Sequence, residues 1–170
     1  MKSRIEIISR DAMQERIGPG GSGLPANSAV ISFYDPPKKR GGVTVLSNPL
    51  DYTAVCDRVF RVAIHDIDIE ILGDYGLSFG TYFPEADRLA AFIYEAVEDG
   101  ADIICQCEYG QSRSAACAAA ILEHFEGRGI DVFADYRYYP NQMIFNKLRD
   151  ALDRRRIGRL PFSDQNNYER

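Results

Sequence analysis

The feature that most constrains the fold is a short apolar run followed by a polar loop and an alanine-rich stretch. The apolar run lies within residues 102–105, where Ile103, Ile104 and Cys105 follow Asp102, and the alanine-rich stretch extends from about residue 113 to residue 125. A continuous apolar run of this length is typical of a strand that is buried on both faces of a parallel sheet. Alanine has the highest helix propensity, so the second stretch is predicted to be a helix. This part of the chain is therefore predicted to form a strand, a loop and a helix in succession.

Strand-like and helix-like segments alternate through the rest of the chain as well. Runs rich in β-branched and aromatic residues predict strands at 4–8, 29–34, 43–46 and 59–64. Helices are predicted up to residue 17, from Pro84 and from Asn141. Proline is favoured in the first helical turn, and an asparagine side chain can cap a helix N-terminus. This alternation predicts an α/β fold with a central, mostly parallel sheet of four to five strands that is flanked by helices.

The segments between these elements are predicted to be loops. Residues 18–23 are rich in glycine, residues 38–42 have the sequence Lys-Lys-Arg-Gly-Gly, and the stretch from residue 65 to Tyr82 is irregular. A chain of 170 residues is long enough to bury the core of one domain. We therefore predict a single domain over residues 1–160 and a C-terminal tail at 161–170.

The composition argues against several classes of function. The net charge of −5 disfavours a nucleic-acid surface, which normally carries a basic excess. The N-terminus lacks the apolar segment of a secretion signal, and no run of about 18 apolar residues is present. The four cysteines are not spaced as metal-binding pairs, and their apolar surroundings are typical of reduced thiols. We expect a cytoplasmic protein with no bound metal and no nucleic-acid or membrane partner.

The polar loop before the alanine-rich helix is where an anion site is expected. Its sequence is Cys107-Glu108-Tyr109-Gly110-Gln111-Ser112-Arg113-Ser114, and we call these residues the cysteine loop. Free backbone N–H groups and the positive end of the helix dipole meet at a helix N-terminus, so phosphate binds there favourably. Gly110 allows the backbone to turn tightly. The planar guanidinium of Arg113 can hold two phosphate oxygens at once, which a lysine cannot do.

Cys107 is the candidate nucleophile of this loop. A thiol beside a helix N-terminus and a cation is expected to ionise at neutral pH, and the thiolate is a strong nucleophile. The hydroxyl of Ser114 could donate to the sulfur and stabilise it both as an anion and as a leaving group. The alternative is an inert buried cysteine. The positions of Gly110, Arg113 and Ser114 relative to Cys107 favour the nucleophile.

The spacing of these residues resembles the signature of a known enzyme family. Cys-x5-Arg-Ser with the inner Gly and Ser is similar to the signature loop of the cysteine-dependent protein tyrosine phosphatases, particularly their compact dual-specificity branch. The similarity covers about residues 59–122, including the helix predicted from Pro84. It implies a dual-specificity phosphatase-like fold and a phosphorylated protein as substrate. Phosphotyrosine would be hydrolysed through a cysteinyl-phosphate intermediate without a cofactor, with phosphoserine and phosphothreonine as further candidate substrates.

The resemblance also implies roles for individual residues. Cys107 would be the nucleophile, Arg113 would bind the phosphate, and Ser114 would stabilise the sulfur. The phosphate-binding backbone would be that of Glu108, Tyr109, Gly110, Gln111, Ser112 and Arg113. The family usually has a histidine immediately before the cysteine, whereas this chain has Gln106. We expect the glutamine to make the thiolate less reactive and the enzyme slower.

The family's mechanism also requires an aspartate that protonates the leaving oxygen, and the sequence offers three. Asp66 follows the strand predicted at 59–64, as in the family, but lies farther from the cysteine than is usual. Asp74 lies at a more usual distance but does not follow a strand. We take Asp66 as the predicted general acid, with Asp68 and Asp74 as the alternatives.

Two other functions stay open on the sequence. One is a module that binds phosphate without turnover, which is motivated by Gln106 and by the choice among three aspartates. The other is hydrolysis of a non-protein phosphate, such as a phosphoinositide or a nucleotide. Such enzymes often carry several basic residues in the loop, whereas this loop has Glu108 and a single arginine, which disfavours that function. The sequence predicts no particular oligomeric state.

Overall fold

The computed structural model describes residues 1–158, and a four-stranded parallel sheet lies at its centre. The strands are β1 (Ile5–Ser9), β2 (Ser28–Tyr34), β3 (Lys38–Arg40), β4 (Val43–Val45), β5 (Val59–Ala63) and β6 (Asp102–Cys107). The helices are α1 (Arg10–Ile17), α2 (Ala86–Glu98), α3 (Arg113–Glu126), α4 (Ile130–Phe133) and α5 (Gln142–Gly158), with a 3₁₀ helix at Ile69–Tyr75. The central sheet has the order β1, β6, β2, β5, so the predicted α/β fold is confirmed.

Strand β6 lies in the interior of the sheet, between β1 and β2. Its residues from Ile103 to Cys107 are buried, as the apolar run predicts. Successive side chains of a strand point to opposite faces. Cys105 and Cys107 therefore lie on one face of the sheet, and Ile104 lies on the other. The interior position of β6 places its last residue, Cys107, at the middle of the carboxyl edge of the sheet.

Helices cover both faces of the sheet. The larger core is formed between the sheet and helices α2, α3 and α5, and includes Ile31, Leu89, Ile121 and Leu148. The smaller core on the opposite face includes Met13 of α1 and the buried Tyr52. Ser9 caps α1 by accepting a hydrogen bond from the backbone N–H of Ala12 at 3.2 Å.

The region around residues 35–46 differs from the prediction. Lys38–Arg40 is a strand rather than a loop, and it pairs with β4 in an antiparallel hairpin. The two glycines at its turn, Gly41 and Gly42, both have positive φ values. The strand predicted at 43–46 therefore pairs only within this hairpin and does not join the central sheet. Strand propensity does not identify the partner of a strand, so the sequence left the number of central strands open.

Other elements begin a few residues away from their predicted start, and two short helices were not predicted. The helix predicted from Pro84 begins at Ala86, and the irregular stretch after residue 64 contains the 3₁₀ helix. The four-residue α4 is too short to show a helical periodicity in the sequence. Across residues 1–158, no helix is both long enough and apolar enough to cross a bilayer. The tail predicted at 161–170 lies outside the described residues.

Candidate active site

The cysteine loop begins with the last residue of β6 and ends in the first turn of α3. Gly110 has a φ of 68°, which is in the left-handed region that favours glycine. A Cβ atom at this position would lie 2.7 Å from the backbone nitrogen of Ser9. The backbone carbonyl of Glu108 accepts a hydrogen bond from the N–H of Arg10 at 3.1 Å. The loop is therefore packed against the junction of β1 and α1, and only glycine fits at position 110.

The thiol of Cys107 is buried at the base of this loop. The side chain is 2% exposed, and its Sγ lies 3.1 Å from Oγ of the fully buried Ser114. This is the contact predicted from the sequence. A hydroxyl that donates to the sulfur stabilises a negative charge there, and the N-terminus of α3 acts in the same direction. The surroundings of Cys107 therefore suit a nucleophilic thiolate.

Arg113 is held by one nitrogen and has a second buried nitrogen without a partner. Its Nη1 donates to Oδ1 of Asp35 at 2.7 Å and to the backbone carbonyl of Ile64 at 2.9 Å. Its Nε is buried and has no hydrogen-bond partner within residues 1–158. Buried donors in proteins are normally satisfied, so an unpaired one indicates a missing acceptor. A phosphate oxygen bound in the cysteine loop would supply that acceptor.

Asp35 is a site residue that the sequence analysis missed. Its carboxylate contacts both Arg113 and Lys38. Burial raises the pKa of the Asp35 carboxyl, but hydrogen bonds and charges from Lys38 and Arg113 outweigh this effect and hold the pKa below its ordinary value of 3.8. Asp35 directly follows β2, whose neighbour in the parallel sheet is β6, so its approach to the cysteine loop follows from the strand order and not from a local sequence pattern.

We predict that Asp35→Asn weakens phosphate binding by Arg113. The substitution keeps the size of the side chain but removes the charge that holds Nη1, so kcat/KM for p-nitrophenyl phosphate should fall about tenfold. Asp87→Asn is the matched control, because Asp87 forms an exposed ion pair with Arg154 away from the loop. Its kcat/KM should be unchanged within error, and equal losses in the two variants would contradict the prediction.

The Asp35 contact should also make stability depend on pH. Because its pKa is lower in the folded protein, the contact stabilises the fold above pH 3.8 and is lost as the pH falls through the folded pKa. The difference in unfolding free energy between the wild type and Asp35→Asn should therefore narrow below about pH 4. Urea denaturation at a series of pH values measures this difference in unfolding free energy. A difference that is constant down to pH 2 would contradict a stabilising contact of the ionised Asp35.

Gln106 lies on the opposite face of β6 from Cys107. Its Oε1 accepts hydrogen bonds from Oγ of Ser32 at 2.6 Å and from the hydroxyl of Tyr52 at 3.1 Å. All three side chains are buried, and Ser32 is the register partner of Gln106 on β2. The glutamine thus joins β6 to β2 and to the segment containing Tyr52, directly beneath the cysteine loop. That Gln106 makes the thiolate less reactive stays a prediction.

The structure places Asp66 against the cysteine loop. Its Oδ1 accepts hydrogen bonds from Oγ of Ser112 at 2.6 Å and from Nδ2 of Asn141 at 3.1 Å, and its Oδ2 lies 3.9 Å from Nε of Arg113. Asp68 is exposed and lies farther along the same segment. Asp74 belongs to the 3₁₀ helix and makes no hydrogen bond or ion pair with the loop in the described part of the chain.

Asn141 has a second role that the sequence did not predict. As expected, it caps α5, since its Oδ1 accepts from the backbone N–H of Ile144 at 3.0 Å. Its Nδ2 also donates to Asp66 and to the backbone carbonyl of Ile67. The preceding segment is joined to the loop too, because the N–H of Tyr139 donates to the carbonyl of Gln111 at 2.8 Å. The start of α5 therefore holds both Asp66 and the cysteine loop in place.

A groove of about 850 Å³ extends from Asp66 and Ser112 along the start of α5. We call it the side groove. Its walls combine carboxylates with aromatic rings and the polar start of α5. The lining residues are Asp66, Asp68, Ile69, Glu70, Phe79, Ser112, Phe133, Tyr138, Tyr139, Pro140, Asn141, Gln142, Met143 and Asn146.

The fold of the chain can be compared with those of known proteins. Neither a family model nor a curated protein sequence matches the chain. Among solved structures, PTPMT1 in complex with PI(5)P is similar with a TM-score of 0.50 at 11% identity, covering 89% of this chain and 91% of that one. Human DUSP28 gives a TM-score of 0.49 at 18% identity, covering 91% and 94%. PTPMT1 has the fold of the phosphatases that the cysteine loop resembles. The chain therefore has the fold of the cysteine-dependent protein tyrosine and dual-specificity phosphatases.

Proposed function

We propose that this protein is a phosphatase that hydrolyses phosphotyrosine in proteins through a cysteinyl-phosphate intermediate. One observation carries the proposal. The buried Sγ of Cys107, in contact with Ser114, belongs to the same short loop at the N-terminus of α3 as the Nε of Arg113, which has no hydrogen-bond partner in the described part of the chain. An incoming phosphate monoester requires a nucleophile that attacks phosphorus and a cation with a free donor for a phosphate oxygen. Cys107 and the Nε of Arg113 fit these two roles.

In the first step, the thiolate of Cys107 attacks phosphorus. The S–P bond forms as the bond between phosphorus and the tyrosine oxygen breaks, and Asp66 transfers its proton to that oxygen. Arg113 and the backbone N–H groups of the loop stabilise the negative charge on the remaining phosphate oxygens. The position of Asp66, 3.9 Å from the Nε of Arg113, supports this role because it lies beside the atom that would hold the phosphate.

In the second step, water attacks the phosphorus of the cysteinyl-phosphate. Asp66 now accepts a proton from the water, and the S–P bond breaks so that the electron pair returns to the sulfur. The hydroxyl of Ser114 donates to the sulfur as its charge develops. The products are inorganic phosphate and the regenerated thiolate.

Two features support phosphotyrosine as the substrate. Because the side chain of Cys107 is 2% exposed, a long side chain reaches the sulfur more easily than a short one. The entrance also carries exposed aromatic rings, since Tyr109 in the loop and Tyr139 beside it are 77% and 72% exposed. Aromatic rings pack favourably on one another. Phosphoserine and phosphothreonine have shorter side chains and are expected to be poorer substrates.

The alternatives receive less support. A ligand with several phosphates, such as a phosphoinositide, would be repelled by the carboxylates of Asp66, Asp68 and Glu70 in the side groove. A binding module without turnover would need the same loop but no acid, whereas Asp66 lies beside Arg113. A cytoplasmic location stays a prediction, and it agrees with the need of a thiolate nucleophile for a reducing compartment.

The test is hydrolysis of p-nitrophenyl phosphate, followed by phosphotyrosine and phosphoserine versions of one peptide. We expect turnover of the first two substrates and much slower turnover of the phosphoserine peptide. If the wild type released phosphate no faster than the Cys107→Ser variant, an enzymatic function would be refuted. Faster turnover of a soluble phosphoinositide than of the phosphotyrosine peptide would refute the proposed substrate.

Asp66→Asn is expected to lower kcat by about 10²-fold, because the asparagine amide cannot transfer a proton to the leaving oxygen. The loss should be larger for phenyl phosphate than for p-nitrophenyl phosphate, since p-nitrophenolate leaves without needing a proton. Asp74→Asn is the matched variant and should retain full activity. If Asp74→Asn instead loses activity and Asp66→Asn retains it, the assignment of the acid is wrong.

A further inference from the structure

We propose that the side groove binds the residues that flank the phosphorylated tyrosine, and that it selects peptides with lysine or arginine at those positions. This inference rests on the function proposed above and adds a substrate class to it. It is carried by the position of the groove, by the charge of its walls and by its aromatic lining.

The groove begins where a bound phosphate would lie. Two of its lining residues, Ser112 and Asp66, are hydrogen-bonded to each other, and Ser112 belongs to the cysteine loop. Asp66 is also 3.9 Å from the Nε of Arg113. A substrate whose phosphate is held by Arg113 therefore has the groove directly beside it. A volume of about 850 Å³ is large enough for several side chains of a peptide.

The groove carries an excess of negative charge, since three carboxylates line it and none of the described residues that line it is basic. Asp66, Asp68 and Glu70 all line it. The Oδ2 of Asp66 lies 3.9 Å from the Nε of Arg113. Asp68 and Glu70 are exposed, and neither forms an ion pair with a side chain that the structure describes. Carboxylates that face a binding groove favour cationic groups of a ligand and disfavour acidic ones. The cation that fits a peptide substrate is a lysine or arginine side chain.

The aromatic lining suits the same side chains, and two cations of the protein already contact it. The Nζ of Lys147 lies 4.8 Å from the ring centroid of Phe79, and the guanidinium of Arg137 lies 5.2 Å from that of Tyr138. Arg137 is paired with Asp135, so its charge is largely compensated. The ring of Tyr139 is largely exposed. It can pack against the aliphatic part of a lysine or the plane of an arginine.

Three phosphotyrosine peptides test the inference. They share one sequence except for two positions on each side of the phosphotyrosine, which are lysine, alanine or glutamate. Their binding to the Cys107→Ser protein is measured by fluorescence anisotropy, and kcat/KM is measured with the wild type. The lysine peptide should bind about tenfold more tightly than the glutamate peptide at low ionic strength, since several exposed charge pairs contribute modestly. The ratio should shrink to about twofold in 0.5 M salt, where such pairs are screened.

Two charge reversals locate the effect. Glu70→Lys should bring the ratio of lysine to glutamate peptide affinities close to one. Glu15→Lys makes the same change on an exposed residue of α1 outside the groove. It should leave the ratio of lysine to glutamate peptide affinities the same as in the Cys107→Ser protein without it. Each ratio compares two peptides on one protein, so a partial loss of folded protein does not alter it.

The outcomes separate this inference from the proposed function. Equal affinities for the three peptides, or tighter binding of the glutamate peptide, would overturn the inference even if the wild type hydrolyses p-nitrophenyl phosphate. No hydrolysis by the wild type would overturn the proposed function, whereas a preserved preference for the lysine peptide in binding would still support the groove as the site that recognises basic flanks.

Discussion

Replacing Cys107 with serine is expected to lower kcat for p-nitrophenyl phosphate by about four to six orders of magnitude. A serine hydroxyl is a far weaker acid than a thiol, so no anionic nucleophile would be present at neutral pH. Arg113 and the loop backbone remain in place in this variant. The affinity for a phosphotyrosine peptide should therefore be retained, and isothermal titration calorimetry can measure it beside the loss of turnover.

Cys56→Ser provides the matched control. Cys56 is half-buried, and its thiol donates to the backbone carbonyls of Ser28 and Arg58, as a hydroxyl can also do. This variant should keep the activity of the wild type. If Cys107→Ser retained more than a tenth of that activity, another residue would have to be the nucleophile, and the mechanism proposed above would be wrong.

Arg113→Lys should reduce kcat/KM by about 10³-fold although it keeps the positive charge. The lysine ammonium can replace the contact of Nη1 with Asp35, but it has no second nitrogen at the position of Nε. Stabilisation of the equatorial oxygens is therefore lost in both steps. Because this stabilisation is strongest in the transition state, kcat should fall more than KM rises.

Arg154→Lys makes the same change at an exposed ion pair with Asp87 and should be nearly silent. Steady-state kinetics with both variants decide between a phosphate ligand and a merely structural arginine. If Arg113→Lys lost stability but kept kcat/KM per folded molecule, the guanidinium would serve the fold rather than the reaction.

Local patterns account for the parts of the fold that were predicted correctly. The buried strand β6, the alanine-rich helix α3 and the cap of α5 at Asn141 each depend on residues that are close in sequence. The same holds for the contact of Cys107 with Ser114, because both residues flank a single loop. Elements without a local signature were missed, such as the short α4, or assigned wrongly, such as β3.

The site residues that were missed come from distant parts of the chain. Asp35 is 78 residues from Arg113, and Asn141 is 75 residues from Asp66. No pattern in the sequence relates such pairs, since their contact depends on which strands are neighbours in the sheet. Once β2 is known to lie beside β6, the end of β2 must approach the cysteine loop, and Asp35 follows from that topology.

The arrangement of the cysteine loop could be predicted from the sequence alone, because a thiol, a glycine, a guanidinium and a hydroxyl at fixed offsets need only one loop and one helix N-terminus to come together. The tertiary structure decided the rest. It brought Asp35 to Arg113, placed Asp66 rather than Asp74 beside the loop, and directed Gln106 away from the thiol into a contact with Ser32. The physical reason is that the order of the strands and the alternation of side chains across β6 determine which distant groups meet, and both are set by packing of the whole chain.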